Sequence, residues 1–131
     1  VSDFATVFVA LFVAHQVADH WVQTDHQAQS KGGDGWHARA ACAAHVVTYT
    51  ATAAIALAVT VYVTGIELSP ARAALGLAVS AVTHYVADRR TPLRRMAATF
   101  GKGAYWGRGG AYPLDQSFHY LWLWVAALIC A

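Results

Sequence analysis

Four apolar runs, at about residues 4–22, 38–63, 71–87 and 114–131, are separated by a polar connection, a short turn and a second, basic connection. A bilayer core takes about 20 apolar residues as helix, at about 1.5 Å of rise each. The pattern therefore predicts an all-α protein, a four-transmembrane-helix bundle forming a single domain over 1–131. The third run is the shortest, which keeps open a rival reading as a soluble, alanine-rich four-helix protein. The first run lacks a basic leader and carries His15 and Asp19 within it, so it is read as a permanent span rather than a cleaved signal.

Turn chemistry marks the breaks. Lys31-Gly32-Gly33-Asp34-Gly35 reads as a turn, and Gly65 to Pro70 as a tight exit loop with Pro70 suited to a first helical turn. Thr24 and Asp25 are placed to cap a short interfacial helix; the functional alternative makes Asp25 a general base.

Composition sharpens the membrane reading. The chain is 57% hydrophobic and 12% charged, above the apolar content usual for soluble domains. Cys42 and Cys130 both fall inside apolar runs and read as small buried hydrophobes. The threonines of the second run are expected to bond back to their own helix or a neighbour.

Against this background the polar residues inside the runs stand out. His15-Gln-Val-Ala-Asp19 is repeated as His84-Tyr-Val-Ala-Asp88. Residues four apart share a helix face, so each copy stacks an imidazole and a carboxylate as a bidentate clamp. Asp115 and His119 repeat the pair in reverse order at the opening of the last run, and His45 sits near the start of the second. An ionised Asp in hydrocarbon costs a few kcal/mol unless compensated. A divalent cation compensates it directly, so His15, Asp19, His45, His84, Asp88, Asp115 and His119 are the expected metal ligands, for one or two ions. Zinc or iron suits the donor set first and manganese after them. The bland alternative is a neutralised set of helix–helix hydrogen bonds. His20 is read as adjacent to the ligand face, and His26 and His37 as solvated.

Topology brings these residues together, since in an up-and-down bundle the end of the first run, the start of the second, the end of the third and the start of the fourth lie on one side. Eight of the nine basic residues flank that side, and only Arg72 flanks the other. By the positive-inside rule the site opens to the cytoplasm, with both termini outside and the chain in the cell (inner) membrane. The repeated motif suggests two helical hairpins as a parallel internal repeat, imperfect because Ala41 stands where the later half has Asp115.

The runs AHQVADHWVQTD, AHVVTYT, THYVAD and LDQSFHYLW together resemble an uncharacterised bacterial and phage membrane-protein family, a domain of unknown function, over nearly the whole chain. The resemblance rests on the gapped motif His15, Asp19, Gln23, Thr24, Asp25, His45, His84, Asp88, Asp115, Gln116 and His119, and implies no established reaction. More loosely, the chain is similar to small membrane-bound metal-dependent hydrolases.

The leading expectation is a metal-dependent hydrolase of a phosphoester or lipid-linked substrate, with Arg89, Arg90, Lys102 and Gln116 holding the substrate beside the metal. The basic residues read equally as topology determinants that attract anionic head groups. No Walker pattern is present, and no specific nucleic-acid binding is expected. Alternatives are a di-iron oxidase, a metal transporter, a haem bundle and a structural membrane protein, and small-residue faces would permit a homodimer. Transport is disfavoured because nothing ionisable continues along the other half of the runs.

Overall fold

A computed structural model describes residues 3–131 and is all-helical, with no strand among the described residues. Helix α1 (Asp3–Val17) runs on into a widened π turn (Ala18–Val22), followed by α2 (Asp25–Ser30), α3 (Gly35–Thr64) and α4 (Pro70–Asp88). Then come α5 (Thr91–Thr99), the single turn α6 (Gly103–Tyr105), a kinked turn (Trp106–Gly110) and α7 (Ala111–Cys130). The four long helices thus coincide with the four apolar runs, and the polar connections contain short helices of their own.

Local chemistry explains these boundaries. Thr24 accepts from the Gln27 amide at 3.2 Å while the Gln27 side chain accepts from the Thr24 amide at 3.0 Å, a capping box that starts α2. Gly65, at φ 70°, ends α3 in the left-handed conformation that favours glycine. Ser69 and Pro70 open α4. Arg90 has φ 59° and ψ −46°, and the Thr91 amide donates across it to the Arg89 carbonyl at 2.6 Å. This is a classic γ-turn, a rare and strained link. It reverses the chain between α4 and α5.

The long helices pack as a ring in which α1 touches α3 and α7, and α4 touches the same two, leaving α1 and α4 diagonal. Helices α4 and α7 approach closely at Gly76, which presents no side chain where Cys130 and the Ala126 carbonyl press in. The hydrophobic core fills the half of the bundle away from the polar cluster, with Val7, Leu11, Ala53, Leu57, Leu123 and Ala126 buried together. Arg72 closes that far end by donating to the carbonyls of Leu128, Ile129 and Ala131 at the end of α7.

Among the described residues, two segments, Asp3–Val22 and Gly35–Thr64, are long and apolar enough to cross a membrane. Helices α4 and α7 do not reach the same apolarity, because Arg72, His84 and Asp88 interrupt one and Asp115, Gln116 and His119 the other. The expected all-helical bundle is observed, with four long helices at the four apolar runs, but among the described residues only two of the four expected spans have span character on length and composition.

Candidate metal centre

The end of α1, the start of α3, the end of α4 and the start of α7 meet at one end of the ring. There His15, His45, His84, Asp88 and His119 are buried, and Asp19 nearly so. The π turn begins at Ala18, so Asp19 stands on it while His15 stands on the last α-helical turn before it; such turns inside helices are frequent at functional sites. It leaves His15 Nε2 3.4 Å from Asp19 Oδ2 and turns Asp19 Oδ1 to His45 Nε2 at 3.2 Å.

Two overlapping trios bring their ligand atoms within 4.8 Å of one another: Asp19, His45 and His84, and His15, His84 and His119. In the first, His45 Nε2 is 3.0 Å from His84 Nε2, and Asp19 Oδ1 is 3.2 Å from one and 3.5 Å from the other. Asp88 Oδ2 approaches the same two nitrogens at 3.4 and 3.3 Å. A ring nitrogen carries at most one proton, so hydrogen bonding satisfies only some of these contacts. Three ligands held tetrahedrally at about 2.0–2.1 Å from a zinc-sized ion lie about 3.3–3.4 Å apart. The observed triangle is within a few tenths of an ångström of that size.

Buried side-chain atoms without an aligned hydrogen-bond partner concentrate here. They include His15 Nε2, Asp19 Oδ1, Asp88 Oδ2 and His119 Nε2, together with Nδ1 of His45 and His84. Each such group costs about 1–3 kcal/mol if left unpaired. A cation among the inward lone pairs removes much of that cost. The donor set therefore fits a divalent ion.

Asp115, partly buried, is 3.7 Å from His119 Nε2 and faces a cavity of about 650 Å³. Asp19, His20, Lys31, Asp88, Arg90 and Gln116 also line that cavity, with Trp106 and Tyr112 at its wall. His20 is thus beside the cluster but exposed, and His26 and His37 are exposed as well.

Sequence reasoning missed Lys31. Its ammonium lies 2.8 Å from Asp88 Oδ1, and the residue is only 9% exposed although it sits in a glycine-rich loop. A lone lysine before two glycines carries no periodic signal that it folds inward. Tyr49 was missed for a similar reason: its ring stacks on His84 with centroids 3.9 Å apart, and its hydroxyl bonds Ser80 at 2.5 Å. Four residues after His45, it lies on the ligand face and was in principle legible.

Other expected site residues lie elsewhere. Asp25 is exposed at the head of α2, and Lys102 is exposed between α5 and α6; neither lines the cavity. Arg89 donates to the carbonyls of Lys31 and Gly33 at 2.6 and 2.5 Å, and Arg90 to that of Ala28 at 3.2 Å. Arg89 is thereby committed to the α2–α3 loop, where helix C-terminal carbonyls lack intrahelical partners. Arg90 keeps contact with the cavity.

The class defined by these features is an all-helical protein whose four long helices close around a buried histidine–aspartate cluster. Within that class the chain belongs to the family described as a protein of unknown function, DUF3307, whose model matches residues 7–131. No curated protein and no solved structure matches the sequence.

Proposed function

We propose that this protein is an integral membrane metalloenzyme of the hydrolase class, acting on a phosphoester or lipid-linked substrate. The observation that carries the reading is the buried triangle of Asp19 Oδ1, His45 Nε2 and His84 Nε2, with edges of 3.0–3.5 Å. Asp88, Asp115, His15 and His119 complete the surrounding donor set. Zinc or iron suits this mixture of imidazole and carboxylate best, with manganese behind, as one ion or a pair. When bound, the metal supplies Lewis acidity and a water of lowered pKa.

Lys31 and Arg90 face the same cavity as Asp19 and Asp88, which suits an anionic group held beside the ion. Gln116 adds an amide to that wall. The substrate class follows from this pairing of a hydrolytic centre with two cations.

Membrane residence is supported by α3, whose apolar Val47, Ile55, Val59 and Val63 are all more than half exposed. Such an outward apolar surface suits contact with lipid. In this reading all four long helices span the cell (inner) membrane as two hairpins related by a pseudo-twofold axis. The termini lie outside and the basic connections in the cytoplasm. Homodimerisation through the small-residue faces is compatible with the arrangement.

The test is hydrolysis of a panel of phospholipids, polyprenyl phosphates and soluble phosphoesters by detergent-purified protein loaded with zinc, iron or manganese. Metal-dependent turnover that Asp19→Asn abolishes is expected. A protein that binds metal but cleaves no member of the panel would exclude the hydrolase reading.

A further inference from the structure

Two stripes of residues, one on α1 and one on α7, lead away from the cavity towards the far end of the bundle. On α1, His20, Gln16, Phe12, Phe8 and Phe4 follow one another at intervals of four, and on α7 Tyr112, Gln116, Tyr120 and Trp124 do the same. Residues four apart on a helix lie nearly one above the other, so each set marks one face. The two faces meet along the α1–α7 seam. Phe8 stacks with Phe4 at 6.1 Å between ring centroids, Phe4 meets Trp124 edge-on at 6.5 Å, and Phe12 lies 5.1 Å from Tyr120. One level nearer the cavity, Gln16 donates to the Tyr120 hydroxyl at 3.3 Å, and that hydroxyl donates to Gln116 at 3.1 Å.

The chemistry of the seam changes along its length. At one end His20, Tyr112 and Gln116 line the cavity that also holds Lys31 and Arg90. Beyond Gln16 and Tyr120 the seam is aromatic, and its rings are only partly buried, Trp124 keeping 46% exposure. From Phe12 to Phe4 the stripe descends about 12 Å at about 1.5 Å per residue, and the hydrocarbon of one leaflet is about 15 Å deep. A soluble phosphoester would engage the cationic end and leave the aromatic end unused. An amphiphile with an anionic head engages both, its phosphate on the cations and its chain on the rings. The other apolar groove, between α1 and α3 and lined by Val9, Val13 and Val59, shares no lining residue with the cavity and so offers a chain no site for its head.

We propose that the cavity takes the phosphate of a membrane lipid, which enters sideways between α1 and α7 and leaves its chain lying along the Phe12–Phe8–Phe4 seam. The inference rests on the hydrolase reading only in taking this cavity as the substrate site, and it narrows the substrate from phosphoesters in general to one borne by a lipid. Lys31 and Arg90 select the head by charge, and the seam selects the chain by its apolar surface.

The experiment is photolabelling of the full chain in phosphatidylcholine nanodiscs supplemented with zinc. The probe is a diacyl lipid with a phosphonate head, which is not hydrolysed, and a diazirine in its chain; phosphatidylcholine with the same chain is the control, and adducts are mapped by peptide mass spectrometry. Phosphonate-lipid adducts are expected to concentrate at Phe4, Phe8, Phe12, Tyr120 and Trp124, while the control labels the outward faces of the helices without that preference. Arg90→Gln is expected to weaken seam labelling about fivefold, the effect of one exposed charge contact. Should that variant fail to fold, competition in the unmodified protein keeps the test: unlabelled phosphonate lipid is expected to displace the probe and glycerol 3-phosphate at the same concentration is not. Seam labelling no greater than the control's, labelling unchanged in folded Arg90→Gln, or displacement by glycerol 3-phosphate as effective as by the lipid would overturn the inference. Seam labelling as expected, with no hydrolysis of the corresponding phosphate lipid by metal-loaded protein, would instead overturn the hydrolase reading and leave the lipid site standing.

Discussion

Replacing Lys31 with methionine removes one charge of similar length and leaves Asp88 with its carboxylate in place. The two groups are 2.8 Å apart, with side chains 11% and 4% exposed, so the carboxylate loses its nearest cation in a site that water reaches poorly. At an effective dielectric of about 20 the direct attraction is about 6 kcal/mol, a gross figure that desolvation of both ions reduces. Truncating one partner of a buried pair typically costs about 3–5 kcal/mol. The Lys31 side chain keeps 11% exposure at the cavity wall, which argues for the lower end, about 3 kcal/mol. Unfolding by denaturant in a mild detergent measures it, and a cycle with Asp88→Asn isolates the pair. Lys31→Met is expected to cost about 3 kcal/mol in otherwise unmodified protein and less than about 1 kcal/mol when Asp88 is already Asn. A bound divalent ion shares the same carboxylate, so zinc should shrink the penalty. A cost below about 1 kcal/mol in the metal-free protein, or the same cost in both backgrounds, would refute the inward placement of Lys31.

Gly76→Ala should lower stability by about 1–3 kcal/mol, because the new Cβ would meet Cys130 Sγ and come 2.9 Å from the Ala126 carbonyl; a thermal melt unchanged from the parent would show that α4 and α7 are not in such close contact. Thr24→Ala removes the capping box of α2 and should cost about 1 kcal/mol, with faster amide exchange confined to the α2 segment and the adjoining cavity rim.

The four helices and their polar ends were legible because two periodicities agree. Each apolar run is long enough to be a helix, and each His/Asp pair recurs at the four-residue spacing that stacks side chains. Antiparallel connectivity then forces the pairs to one end, so the cluster follows from the order of the chain alone. What the sequence withheld lies in the irregular segments. The inward turn of Lys31 depends on the Arg89 bonds to the carbonyls around it, a contact between residues 58 apart in the chain. The second connection reads as a loop, yet α5 forms there because Leu93 and Ala97, four apart, find a place against the bundle. The γ-turn at Arg90 had no signal either, since a positive φ at arginine is held by its surroundings rather than by its own preference. Basic residues that looked like a substrate clamp divide accordingly: Arg89 braces the α2–α3 loop, Arg90 keeps one side on the cavity, and Lys102 lies away from it.

The most direct test of the metal centre is elemental analysis of protein purified in detergent without chelators, the parent beside a double change of His84→Ala and Asp88→Ala. About one or two equivalents of zinc, iron or manganese in the parent, lost in a variant that remains helical by circular dichroism, is the predicted result. No metal in either protein, even after incubation with each ion, would contradict the account and leave the buried histidines and aspartates as a polar structural joint between four helices.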